Sequence, residues 1–231
     1  MSVVVQVCFG ETCEHEPGYP GCQNVFIYPC PTNKSLMTTD TLRNADIQHD
    51  INELIAKRWS PRAFDTRKAV TPAQVRQLFE AARWAPSSYN AQPWQYAYAH
   101  REDDTAFQHL LDTLMPGNQE WAKDAAVLIA GLTQVYDPEK DRKNGKAEYD
   151  LGAANYALTM QATEMGLFVH QMGGFHPNKV SALLDLPEHI KPVVMLAVGH
   201  LGNKEDLPAH LAEREVGRKE RKSQKEFVQK L

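Results

Sequence analysis

Cysteine is scarce in this chain and confined to its first part. None follows Met37, and the segment before it also holds four prolines and three glycines, with little helical or strand periodicity. The four cysteines, with His15 nearby, could bind zinc, but the composition favours a segment outside the fold. We therefore expect residues 1–36 to be a disordered or mis-started extension, and leave open the role of Cys8, Cys13, Cys22 and Cys30.

Long apolar runs and an excess of positive charge are also missing. No run approaches the roughly 20 apolar residues that span a bilayer, and the start lacks a basic stretch followed by an apolar one. The net charge of −4 gives no general attraction for nucleic acid, and glutamates interrupt the basic run near the C-terminus. We expect a cytoplasmic protein that acts on small molecules, without nucleic-acid or membrane partners.

The common catalytic signatures are absent after Met37. There is no glycine-rich dinucleotide fingerprint, Walker loop, nucleophile elbow or histidine pair with metal spacing. The sequence therefore predicts no metal site and no protein nucleophile.

Several segments have helical periodicity. "TPAQVRQLFEAARWA" carries a helix N-terminus signature, with Thr71 as N-cap, Pro72 at the first helical position and Gln74 completing a capping box. Apolar spacing also predicts a first helix over residues 46–59. "PGN" at 116–118 is predicted to be a turn. The remaining predicted helices are 104–114, 148–165 with Gly166 as its C-terminal glycine, and a short one in "HPNKVSALLDL".

Other segments read as strands. Trp94 to Ala99 alternates, and the continuous apolar run 125–132 predicts a strand buried on both faces. Because strands and helices are mixed, we expect an α+β or α/β fold, with a single domain over residues 37–231. Residues 208–231 have too few apolar side chains to pack alone, so we expect an arm laid on another surface. Two further strands are predicted in "LFVHQM" and "PVVMLAVGHL".

The stretch "RWSPRAF" places Arg58, Ser60 and Arg62 at alternate positions. If Pro61 keeps the chain extended, all three side chains share one face. Such a face can grip a phosphate through guanidinium forks. It can equally be a solvated basic patch at a helix end.

The loop within "RWAPSSYNAQPWQY" is equally ambiguous. Pro86 and Pro93 restrict its backbone, and small polar side chains stand beside Trp84 and Trp94. The loop suits a flat heteroaromatic ligand with polar edges, or it is a capped helix end whose side chains satisfy their own backbone. In "QMGGF" the glycines allow either a close backbone approach to a ligand or a tight turn. The polar residues of the loop are Ser87, Ser88, Asn90 and Gln92.

Taken in order, these blocks resemble the FMN-dependent nitroreductase family from about residue 46 to the C-terminus. The specific blocks are "AKRWSPRAFD" and "ARWAPSSYNAQPWQY", supported by "PGNQEWAKDAAVLIAG", "LGAANYALTMQATEMGLFVHQMGGF" and "REVGRKERKSQKEFV". Two positions depart from the family pattern. Trp59 replaces a common Arg or His, and Gly173 stands where some members carry an acidic residue.

The resemblance implies an α/β/α three-layer sandwich with a central, mostly antiparallel sheet, in an intertwined homodimer. FMN would lie at the interface, with the proline–serine loop of one subunit lining the flavin held mainly by the other. Arg62 would also tune the flavin, and Met172 to Gly174 would contact it through backbone. The implied FMN-binding residues are Arg58, Trp59, Ser60, Arg62, Pro86, Ser87, Ser88, Asn90, Asn118, Met172, Gly173, Gly174, Lys219 and Arg221.

The implied activity is an FMN-dependent NAD(P)H oxidoreductase that reduces nitroaromatics, quinones or similar acceptors by two electrons in a ping-pong scheme. Hydride transfer through a flavin needs no protein nucleophile, which agrees with the missing signatures. Two alternatives stay open. One is a specialised relative, acting on an enal or aldehyde, a halogenated aromatic or the flavin itself, with a lid over residues 136–146 deciding the substrate. The other is a flavin-binding protein without turnover.

Overall fold

The computed structural model describes residues 47–215 and 221–231, which belong to one compact unit of the chain, Asp40–Leu231. Its helices are α1 (Glu53–Lys57), α2 (Pro72–Arg83), α3 (Asp104–Leu111), α4 (Pro116–Ala122), α5 (Ala147–Glu164), α6 (Pro177–Leu183) and α7 (Ala209–Ala212). Its strands are β1 (Trp94–His100), β2 (Val127–Gln134), β3 (Tyr136–Asp137), β4 (Arg142–Lys143), β5 (Phe168–Met172) and β6 (Ile190–Gly199).

Four of the strands form the central sheet, in the order β1-β2-β6-β5. Every neighbouring pair in this sheet is antiparallel. The other two strands, β3 and β4, form a separate small hairpin. The expected α+β fold with an antiparallel sheet is confirmed.

Both faces of the sheet are covered, and β2 shows this most clearly. Its residues Val127 to Thr133 are all buried, as the continuous apolar run predicted. Because side chains alternate along a strand, Leu128 packs with Phe107 of α3 and Trp121 of α4, whereas Ile129 packs in the cluster of α2 and α5. Burying each such side chain contributes roughly 1.5–3 kcal/mol. The molecule therefore has the predicted helix–sheet–helix layers.

Helix α2 begins as its sequence predicts. Thr71 Oγ1 accepts a hydrogen bond from the Gln74 backbone N–H at 3.2 Å, and Gln74 Oε1 accepts one from the Thr71 N–H at 2.9 Å. This reciprocal pair satisfies two N–H groups that the first helical turn cannot bond internally. The helix buries Val75, Leu78 and Ala82 against the sheet.

We expect Thr71→Ala to lower the free energy of unfolding by about 1 kcal/mol, because it removes the acceptor for the Gln74 N–H. The melting temperature should fall by about 2–4 °C. Thr71→Ser keeps the hydroxyl and should melt close to wild type in the same calorimetric scan. Equal melting of the alanine variant and wild type would show that the cap contributes nothing to stability.

Helix α5 lies beneath the sheet and is rich in small residues. Ala154, Leu158 and Ala162 are fully buried on its inner face, where α5 packs against α2 and β2. The helix ends before Gly166, whose φ of 69° lies in the left-handed region that favours glycine. The predicted helix and its C-terminal glycine are both confirmed.

Two local predictions are wrong. The first helix is limited to α1, because Asn52 caps it by accepting from the Leu54 N–H at 2.9 Å. Ile47 and Ile51 precede this cap and remain 42% and 50% exposed, since nothing in the described chain covers them. Residues 116–118 are the first turn of α4 rather than a turn between elements, with Pro116 in its favoured place at a helix start.

The C-terminal segment divides into two parts. Leu211 of α7 and Glu215 are buried, at 4% and 3% exposure, so residues 208–215 pack onto the body of the domain. Residues 221–231 are almost entirely exposed. The arm prediction therefore applies to the second part alone, where it stays a prediction. Among the described residues no helix is long and apolar enough to cross a membrane.

Candidate functional site

The segment after α1 brings two of the predicted site residues together. Arg58 leaves the helix in an extended conformation, with φ −61° and ψ 127°. Its Nη1 donates to Ser60 Oγ at 3.4 Å. Both side chains are partly buried, so they do not form a freely solvated patch.

A second guanidinium lies near Arg58. Burial lowers the pKa of Arg58, and the positive charge of Arg221 lowers that pKa further. Tyr156 of α5 acts on it in the opposite direction. The charge of Arg221 therefore acts on Arg58, although the two residues are far apart in sequence. Lys219, another of the implied FMN-binding residues, lies outside the described residues.

Arg62 is held by a carboxylate that the sequence analysis missed. Glu215 Oε1 accepts from the backbone N–H groups of Arg62 at 2.6 Å and Ala63 at 3.1 Å. Glu215 Oε2 lies 3.5 Å from Arg62 Nη1. One buried carboxylate thus fixes both the backbone and the side chain of this segment. No local motif marks Glu215, because its donors are more than 150 residues away in the chain.

Several polar groups of the proline–serine loop, residues 86–93, are hydrogen-bonded within the loop itself. This agrees with the interpretation of the loop as a capped helix end. Ser87 Oγ accepts from the Gln92 N–H at 3.0 Å, and Gln92 Nε2 donates to the Asn90 carbonyl at 3.2 Å. The Ser88 N–H donates to Asp150 Oδ2 of α5 at 3.2 Å. These bonds fix the loop to itself and to α5, and leave the Tyr89 ring 92% exposed.

The backbone of this loop is strained. Tyr89, Asn90 and Gln92 have φ values of 52°, 54° and 46°. Non-glycine residues in this left-handed region cost roughly 1 kcal/mol each. Strain of this kind persists where the surrounding structure enforces it, and it concentrates at ligand sites. It therefore favours a binding role for the loop over that of a simple connection.

A hydrogen bond joins Asn118 of α4 to Gly174, which follows β5. Asn118 Nδ2 donates to the Gly174 carbonyl at 2.9 Å. A Cβ at Gly174 would lie only 2.7 Å from that nitrogen, so a side chain there would displace Asn118. Gly173 is exposed and its Cβ position is open, whereas the Met172 side chain is buried. The structure therefore brings Asn118 to the "MGG" stretch.

A cavity of about 450 Å³ separates the proline–serine loop from the lid hairpin, residues 136–146. Its size is typical of sites for small molecules. It is lined by Ser88, Tyr89, Asn90, Ala91 and Pro93 on one side and by Gln134, Asp137, Lys140, Arg142, Lys143, Asn144, Gly145 and Lys146 on the other.

Comparison with known proteins identifies the group to which this architecture belongs. The model of the Nitroreductase family matches residues 55–200. The chain belongs to the nitroreductase family. A crystal structure of an FMN-containing oxidoreductase superposes on it with a TM-score of 0.73 at 36% identity, covering 77% of this chain and 90% of that one.

Curated relatives also match this chain. An FMN reductase [NAD(P)H] of Bacillus subtilis is 24% identical over 189 residues, which cover 74% of each chain. An NADH dehydrogenase of Thermus thermophilus is 27% identical over 192 residues, which cover 70% of this chain and 91% of that one. This chain is accordingly an oxidoreductase of the nitroreductase family.

The predicted site residues fall into three groups in this nitroreductase. The first is Arg58 with Ser60 and Arg221, and the second is Asn118 with Gly174. The third is the proline–serine loop, which faces residues 136–146 across the cavity. The Trp59 ring packs edge-on against Phe168 of β5, with ring centroids 6.1 Å apart.

Proposed function

We propose that this oxidoreductase binds FMN, takes two electrons from NADH or NADPH and passes them to a nitroaromatic, quinone or similar acceptor by a ping-pong mechanism. The observation that carries the proposal is a partly buried Arg58 that donates to Ser60 and on whose guanidinium the positive charge of Arg221 acts. Two guanidinium groups held close together repel each other. A bound phosphate replaces that repulsion with charge-assisted hydrogen bonds. The phosphate of FMN fits this arrangement.

Other residues of the chain would position the ring of FMN. Arg62 and Asn118 would lie towards its pyrimidine edge, and Gly173 and Gly174 would offer backbone along it. The open space at the Gly173 Cβ position is compatible with such an approach. When bound, the flavin supplies the electron-carrying chemistry. The protein supplies position and charge, so the lack of a nucleophile motif is expected.

We also propose a homodimer, because many large apolar side chains have no cover. On the body of the domain, Ile51 and Ile55 are 50% and 43% exposed, and Tyr149 of α5 is 79% exposed. Large exposed apolar side chains are the groups that a subunit interface commonly covers. A second copy is the partner that would cover them, with residues 221–231 of each copy laid on the other. The exposed apolar residues of that segment are Phe227, Val228 and Leu231.

In such a dimer the proline–serine loop would line the flavin held by the partner subunit. This placement would explain why the loop tolerates strain. Each site would then contain residues from both copies.

The purified protein is expected to be yellow, to release FMN on denaturation and to elute as a dimer. Without oxygen, NADH or NADPH should bleach the colour, and a quinone should restore it. An absorbance scan from 350 to about 500 nm follows both half-reactions of the proposed scheme. Measuring the two halves separately tests the ping-pong order directly.

Three results would contradict parts of this proposal. A colourless monomer that takes up no added FMN would refute it as a whole. Bound FMN that neither NADH nor NADPH reduces would indicate a flavin-binding protein without turnover. Bleaching without reoxidation by nitroaromatics or quinones would instead indicate a specialised acceptor.

A further inference from the structure

The cavity between the proline–serine loop and the lid has a strongly positive wall. Among the described residues that line it, only Asp137 carries a carboxylate. Lys140 Nζ donates to Asp137 Oδ2 at 3.0 Å, so these two charges offset each other. Three further cations remain in the wall: Arg142, Lys143 and Lys146.

These three cations have no acidic partner within residues 47–215 and 221–231: no carboxylate oxygen there lies within 4.0 Å of their nitrogens. Two nearby acids accept hydrogen bonds from uncharged groups. Asp141 accepts from the Tyr136 hydroxyl, and buried Asp150 accepts from the Ser88 N–H. Among the described residues that line the cavity, cations therefore outnumber carboxylates.

The opposite wall supplies an aromatic surface. The Tyr89 ring is 92% exposed, and its residue is held in the left-handed conformation. The Arg142 guanidinium lies 5.9 Å from the centroid of this ring, so the lid and the loop meet at this point. A flat substrate that entered here would contact Tyr89 on one side and the lid cations on the other.

We propose that this cavity binds the anionic oxygen group of a substrate, a carboxylate or a phosphate, through Arg142, Lys143 and Lys146. The inference rests on the proposed function, because it takes the cavity to be part of the cleft through which substrates reach the flavin. It adds a substrate class to that function. The anionic group can belong to the electron acceptor, as in an aromatic carboxylate, or to the donor, as in the additional phosphate of NADPH.

The test compares two acceptors of nearly equal shape, 4-nitrobenzoate and 4-nitrobenzamide, in the FMN-loaded full-length protein. In wild type, kcat/KM should favour the anion. In the Lys143→Gln/Lys146→Gln variant, the ratio of kcat/KM for the anion to kcat/KM for the amide should fall about tenfold. Each of the two exposed charges contributes about threefold to this ratio. Added salt should reduce the wild-type preference, because exposed charges are screened.

A matched control removes two exposed lysines elsewhere, in Lys179→Gln/Lys204→Gln. It makes the same change in net charge and should keep the wild-type ratio. A parallel measurement of kcat/KM for NADPH over NADH separates the two sources of the anion. A fall in that ratio alone would assign the cavity to the donor.

A binding measurement keeps this inference separate from the proposed function. If the protein binds no FMN or shows no turnover, calorimetric titration with benzoate still reports on the cavity. Benzoate should bind wild type and the control, and bind the lid variant about tenfold more weakly. Unchanged ratios for both substrate pairs in an active enzyme, or equal benzoate affinity in all three proteins, would overturn the inference.

Discussion

Glu215→Leu is expected to lower the free energy of unfolding by about 3 kcal/mol. The substitution leaves the Arg62 and Ala63 N–H groups without their acceptor and the Arg62 guanidinium without its counter-charge. Each unsatisfied buried donor costs about 1–3 kcal/mol, and breaking a fully buried ion pair costs about 3–5 kcal/mol, a cost that is reduced here because the Arg62 side chain is 21% exposed. For a chain of this length the melting temperature should fall by about 6–12 °C.

Glu215→Gln separates the two contributions. Both backbone bonds go to Oε1, which glutamine retains, whereas the oxygen that faces Arg62 becomes an amide nitrogen. The glutamine variant should therefore lose about 1–2 kcal/mol, less than the leucine variant. Glu213→Gln changes an exposed neighbour and should be neutral. Leucine and glutamine variants of equal stability would show that the backbone bonds to Glu215 contribute nothing.

Arg58→Gln is expected to raise the Kd for FMN about 30-fold, close to 2 kcal/mol, through loss of a charge-assisted contact to the phosphate. The same change should leave the melting temperature of the FMN-free protein unchanged or slightly higher. The reason is electrostatic: Arg58 is partly buried beside Arg221, and removing one of two like charges relieves their repulsion. Loss of a ligand-binding charge therefore weakens binding without lowering the melting temperature, whereas loss of a structural ion pair lowers the melting temperature.

Fluorescence titration of FMN-free protein with FMN measures this Kd. Arg58→Lys keeps the charge but loses the planar fork, so its Kd should lie between those of wild type and Arg58→Gln. Arg76→Gln, on the exposed side of α2, serves as the charge-matched control. An unchanged Kd for FMN in Arg58→Gln would show that Arg58 does not bind the phosphate of FMN.

The elements that the sequence predicted well are those with local causes. The capping box of Thr71 and Gln74 marks the start of α2, and Gly166 marks the end of α5. The uninterrupted apolar run of β2 implies burial on both faces, which the sheet order confirms. In each case a few neighbouring residues carry the physical signal.

The predictions that failed depended on distant partners. The apolar stripe of Ile47 and Ile51 has helical spacing, but the described chain provides no surface to cover it. Glu215 resembles any other glutamate in a charged segment, until folding places it against Arg62 and Ala63. Likewise, no local pattern in the lid indicates that it faces the proline–serine loop across a cavity.

The contact between Glu215 and Arg62 also constrains the order of events during synthesis. Glu215 leaves the ribosome 153 residues after Arg62, a delay of roughly 8 to 30 s at common elongation rates. Until then, the Arg62 and Ala63 amides lack the carboxylate that later holds them. The segment proposed to grip the flavin phosphate therefore matures late, and cofactor loading should follow translation rather than accompany it.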